Sequence, residues 1–87
     1  MQLAKILCDR LYELGREALR AEDFESSMVY STAEDLADGL LKGTDYGEAL
    51  PRLLRAYEVN GARADSEAER SAWARAATEA KALGDSQ

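Results

Sequence analysis

Between Ala21 and Leu41 the chain places six carboxylates (Glu22, Asp23, Glu25, Glu34, Asp35 and Asp38) and no Lys or Arg, while Val29, Ala33, Leu36 and Leu40 recur at steps of four, three and four. That spacing sets the four apolar residues on one face of a helix. The remaining residues hold eleven acids against eleven bases, so the whole formal charge of −6 resides on this stretch. A central helix with an apolar inner face and an acidic outer face is the element around which everything else must pack.

The flanking sequence supplies the partners. From Gln2 to about Arg20, Leu3, Leu7, Leu11, Leu14 and Ala18 form one stripe, and Ala4, Cys8, Tyr12, Gly15 and Leu19 form its neighbour, which predicts a first helix with a broad buried face. Asp9, Glu13 and Glu17 alternate with Lys5, Arg10, Arg16 and Arg20 on the solvated side, with Asp9 and Glu13 expected to pair with Arg16 and Arg20. Gly15 costs a helix about 1 kcal/mol relative to Ala, so it implies either a closely approaching neighbour or a break. Asp23 is the expected N-cap of a second helix over residues 24–42, and Phe24 is expected to pack into the joint between the two. Gly43 fits a left-handed C-cap.

Asp45 with Glu48 reads as a capping pair opening a third helix over residues 46–59, with Tyr46, Leu50, Leu53, Leu54 and Tyr57 on one face. Pro51 either delays its start towards Leu50 or bends it. Asn60-Gly61 reads as a stop, and the following residues to Asp65 as a linker. Ser66 with Glu69 is a second capping box, predicting a fourth helix over 66–83 whose inner positions are small (Ala72, Ala76, Ala80) with Trp73 as its large anchor. Residues 84–87 are expected to fray. Two Asp-aromatic helix starts, Asp23-Phe24 and Asp45-Tyr46, stand twenty-two residues apart. The passage GTDYGEALPRLLRAYEVN, and less clearly LGREALRAEDFESSMVY, resembles the turn and second helix of tetratricopeptide-type hairpins, which repeat every ~34 residues. Here the spacing is shorter, and Ser27 stands where that pattern has Ala. The resemblance implies antiparallel packing through short turns.

The expected fold is therefore all-α: one domain over residues 1–87, a small antiparallel bundle of three or four helices built from helical hairpins. At this size a chain buries about two thirds of the surface its unfolded form exposes, which keeps self-association in view. No apolar run approaches the roughly 18 to 20 residues of a membrane span, and Met1 to Leu7 lacks the pattern of a signal peptide, so a cytoplasmic location is expected. The single cysteine, Cys8, has no internal disulfide partner. A pI near 4.6 argues against direct nucleic-acid binding and for attraction to basic surfaces.

Catalytic candidates are few. There is no histidine, which removes the commonest general base and metal ligand, and with it Ser-His-Asp, Cys-His and His-metal schemes. Cys8 falls on the apolar face of the first helix and reads as a core thiol. Glu34 and Asp38 lie one turn apart beside Asp35, a pattern expected of a solvated face more often than of an acid/base couple. No metal, cofactor or catalytic residue is assigned, and a non-enzymatic protein is expected.

Binding to another protein is the class the residues favour. Glu34, Asp35 and Asp38, with Glu25 and Asp45 at the ends of the second helix, form a line of charge able to imitate phosphates and dock on a basic protein surface, including a nucleic-acid-binding groove. Tyr30, flanked by Ser26, Ser27, Ser31 and Thr32, is read either as an exposed contact for that partner or as cover for the hairpin edge. Small acidic helical proteins of this kind are typical of phage and mobile-element inhibitors of host machinery, anti-CRISPR proteins among them, and that analogy of class sets the sharpest expectation. The alternatives are a plain solvated face, a self-assembling module using the Leu-rich first helix or the Ala/Trp fourth, and an accessory subunit of a larger complex.

Overall fold

The computed structural model of the chain describes residues 2–85. Four helices follow one another: α1 (Leu3–Arg20), α2 (Phe24–Leu41), α3 (Tyr46–Ala62) and α4 (Glu67–Asp85). They form an all-α four-helix bundle. α1 packs on α2 as a first hairpin and α3 on α4 as a second; α2 also meets both α3 and α4, and α1 touches α4.

Local chemistry sets most of the boundaries. α1 ends in a Schellman motif: the Asp23 amide donates to Ala18 O at 2.8 Å and the Glu22 amide to Leu19 O at 3.0 Å. This closure requires a left-handed residue, and the position is held by Glu22 at φ +60°. Asp23 then caps α2, accepting from the Ser26 amide (3.1 Å) and the Ser26 hydroxyl (2.6 Å). Those bonds hold its carboxyl below the usual carboxylate range. Gly43, at φ +69°, makes the left-handed turn after α2, and Asp45 caps α3 by accepting from the Glu48 amide. Ser66 and Glu69 form the reciprocal box, Glu69 N to Ser66 Oγ at 3.2 Å and Ser66 N to Glu69 Oε1 at 3.1 Å.

Two expected helix ends move, and one expected start does not. The Asn60-Gly61 stop is overrun, because Asn60 bonds back to Ala56 O within the helix and Gly61 lets the Trp73 side chain come close; a Cβ there would lie 3.3 Å from Trp73 Cβ. Pro51 does not delay α3, which starts at Tyr46. It sits in the second turn, and both it and Gly47, the residue whose carbonyl loses a bond, are exposed to water. Gly84 and Asp85 are helical rather than frayed, since Gly84 packs against Leu50 and Tyr46. Ser86 and Gln87, the rest of the expected tail, lie outside the described residues.

The core explains the small residues. Ala72, Ala76 and Ala80 of α4 are buried, as are Ser26, Ala33 and Ala37 of α2, so these two helices approach across the bundle on matched small side chains. What looked like a thin fourth helix is a close contact. α3 and α4 add large aromatic side chains: Tyr57 is fully buried, its ring 5.6 Å from that of the buried Trp73, and its hydroxyl donates to Ala33 O of α2 at 2.7 Å. Tyr46 donates likewise to Ala80 O of α4 at 2.6 Å. Burial pushes the Tyr46 hydroxyl up to about 12 and Tyr57 higher still. Each aromatic thus fills space and ties its helix to another backbone.

Candidate interaction face

Helical geometry sorts the acids of α2. With about 100° per residue, Glu34, Asp38 and Asp35 span an arc of about 100° on one flank, whereas Glu25 points roughly opposite Glu34. Asp35 and Asp38 are exposed and Glu34 is half-buried. Glu25 faces α4 instead, where it accepts a hydrogen bond from the Ser66 hydroxyl. It belongs to the α2/α4 joint and leaves the acidic line. Asp45 sits in the turn after α2 with its carboxylate engaged in capping α3. Tyr30 is 8% exposed, so the hairpin-edge reading holds and Tyr30 is not a surface contact. Of six sequence-predicted residues the fold brings three together.

It also adds one. Glu34 carries a carboxyl raised by its partial burial first, then by the charges of Asp35, Asp9 and Asp38, which places Asp9 of α1 in the same field. Lys5 pairs with Asp9 at 3.1 Å, in place of the pairing expected between Asp9 and the arginines of α1. The missed signal was register: in an antiparallel hairpin turning near residues 21–22, residues of α1 and α2 whose numbers sum to about 43 face each other. Asp9 and Glu34 satisfy it.

Cys8 lies at this seam, half-buried rather than in the core, with its Sγ 3.9 Å from Glu34 O. Burial and the surrounding carboxylates, Glu34 foremost, push its thiol up, away from the thiolate a nucleophile needs. Among the described residues no group of three acidic, thiol or imidazole side chains is placed to hold a metal ion, and no helix is long and apolar enough to cross a membrane. Glu34, Asp35 and Asp38 thus share one flank of α2 with Asp9 of α1 beside them, and Lys5 is the cation paired at its edge.

The same hairpin shows a second feature at odds with its sequence pattern. Phe24 does not fill the joint between α1 and α2 but stands 61% exposed, and Met28, one turn on, is 72% exposed. Across from them Tyr12 and Leu19, assigned by periodicity to the buried face of α1, are each 51% exposed. Only Leu7 and Leu11 of that helix are fully buried. Gly15 explains part of this: α1 remains unbroken, and a Cβ at Gly15 would lie 3.5 Å from Tyr30 Cβ. The helices meet along Leu7, Leu11 and Gly15, and of the neighbouring stripe Tyr12 and Leu19 are turned outward. The chain matches no family model, no curated protein and no solved structure.

Proposed function

We propose that this chain is a non-enzymatic protein-binding module that docks on a basic protein surface through the outer face of its first hairpin. The observation that carries the reading is the convergence of Asp9, Glu34, Asp35 and Asp38 from two helices on one flank, with the Glu34 carboxyl raised in part by its neighbours. Carboxylates held in mutual repulsion gain when Lys or Arg side chains replace water around them, and their field speeds association at low salt. A nucleic-acid-binding groove is the target class such a line fits, because it already presents cations spaced for phosphates. Occupying it would exclude nucleic acid, which makes inhibition of a nucleic-acid-handling host protein, as by anti-CRISPR proteins, the sharpest form of the proposal.

The test is affinity capture from lysate at low and high salt, comparing the native chain with an E34Q/D35N/D38N variant whose helical circular dichroism is unchanged. The proposal expects a nucleic-acid-handling protein retained by the native chain at low salt, shed at high salt and lost by the variant. Equal retention by the variant contradicts it. Trp73, Ala72, Ala76 and Ala80 are buried within one chain, which leaves α1, with Tyr12 and Leu19 exposed, as the helix a self-assembling module would use.

A further inference from the structure

Four large apolar side chains on one face are a different matter from single exposed ones, which every protein surface carries. Between α1 and α2 runs a groove of about 230 Å³, floored by Leu11, Gly15, Ser27 and Ser31, walled by Tyr12, Arg16 and Leu19, and bounded by Glu34. Helical spacing sets Phe24 and Met28 beside Ser27 and Ser31 on the outer lip. Apart from Leu11 the floor is small side chains and backbone, so a bulky side chain can lie between the walls. Glu34 belongs both to this groove and to the acidic cluster. The face is therefore continuous: apolar over the N-terminal half of α2, acidic over its C-terminal half.

Resting on the reading above, we infer that the partner presents an amphipathic helix, with apolar side chains seated on Tyr12, Leu19, Phe24 and Met28 and a Lys/Arg block lying over Glu34, Asp35 and Asp38. Charge complementarity selects this occupant. A second copy of the chain is the rival cover for the apolar half, but a copy's α2 offers the acids no Lys or Arg from Phe24 to Leu41, its α1 brings Asp9, Glu13 and Glu17 along with Arg16 and Arg20, and both copies carry −6. An uncharged apolar helix would leave the carboxylates without cations. A purely basic surface would leave Phe24 and Met28 in water. Arg16, over the Tyr12 ring at 5.8 Å, lines the groove together with Glu34, so a partner's cations are directed to the exposed Asp35 and Asp38 beyond it.

Dye-labelled synthetic helices test it directly. One pair carries Leu at i, i+4 and i+7 joined to a Lys/Arg block, in both block orders, and a control keeps the charges with Ser for Leu. Affinity is read by anisotropy against the native chain, F24S/M28S, L19S and E34Q/D35N/D38N. The inference expects at least one block peptide to bind about tenfold tighter than the Ser control, the advantage vanishing in F24S/M28S and shrinking in L19S. The acid variant should weaken both peptides. Because the Phe24 and Met28 side chains are exposed, F24S/M28S should keep its fold, which circular dichroism verifies. If the Ser control binds as tightly and F24S/M28S changes nothing, the amphipathic partner is overturned while the acidic face survives. If E34Q/D35N/D38N binds both peptides as the native chain does, the basic-partner reading itself fails. Failure of both block peptides to bind, or a dimer in the native chain that F24S/M28S abolishes, overturns the inference in favour of other cover for this face.

Discussion

Tyr30 apart, which is buried beside Gly15, the two hairpins use similar side chains to opposite ends. In the second, Tyr46, Tyr57 and Trp73 are buried, and both tyrosine hydroxyls end on a backbone carbonyl of another helix. In the first, Tyr12 and Phe24 stand in solvent with Leu19 and Met28, beside a cluster of carboxylates. Burying an aromatic pays only where its polar atom finds a partner and its ring meets a surface shaped for it. The Ala-lined face of α4 and the backbone of α2 provide that for the second hairpin. The first hairpin is left with an outward face that none of the described residues covers, which is why recognition is assigned there and stability to its neighbour.

Substitutions should separate the two hairpins sharply. Trp73→Ala removes the ring packed on Tyr57 and should cost about 3–5 kcal/mol, enough to unfold a marginal domain, as read by chemical denaturation. Tyr57→Phe keeps the ring but leaves Ala33 O without the hydroxyl, for a loss of about 1–2 kcal/mol. Both tyrosine hydroxyls titrate higher in the folded than in the unfolded chain. Their stabilisation is therefore complete at neutral pH and is lost as pH rises above the unfolded value near 10, each adding a slope of up to about 1.4 kcal/mol per pH unit. The alkaline limb of the unfolding curve should flatten in Tyr46→Phe and Tyr57→Phe.

On the first hairpin the expected changes are smaller and of mixed sign. Gly39 lies inside α2 with nothing within 4 Å of where a Cβ would stand, so Gly39→Ala should stabilise by about 1 kcal/mol. Glu22→Gly should also stabilise, by up to about 1 kcal/mol, by relieving the left-handed strain at the end of α1. The smallest effect belongs to Phe24→Ser and Met28→Ser, within about 0.5 kcal/mol of native despite removing large apolar groups. A loss of several kcal/mol at Phe24 would show it to be part of the core and erase the contrast.

The sequence made the short-range features legible. Asp23, Asp45 and Ser66 cap where their local patterns say, Gly43 turns left-handed, and the alternation of stripes counts four helices. Features decided by tertiary contact were not legible. Gly61 reads as a stop because the sequence does not show Trp73 arriving against it, and Gly84 reads as tail because Leu50 is thirty-four residues away. Periodicity marks a broad apolar face on α1 but not how much of it the bundle can cover, so Tyr12 and Leu19 were placed inside. For the site, Glu34, Asp35 and Asp38 follow from α2 alone, Asp9 from the hairpin register, and the loss of Glu25 from the Ser66 contact in three dimensions.

The most direct measurement is amide shift mapping of the isotope-labelled chain with its captured partner added. A recognition face on the first hairpin predicts shifts at Asp9, Tyr12, Leu19, Phe24, Met28, Glu34, Asp35 and Asp38, with α3 and α4 unmoved except where they meet α2. Shifts concentrated instead along the groove between α3 and α4, at Glu58, Arg70, Ala74 and Lys81, would contradict the division of labour between the hairpins.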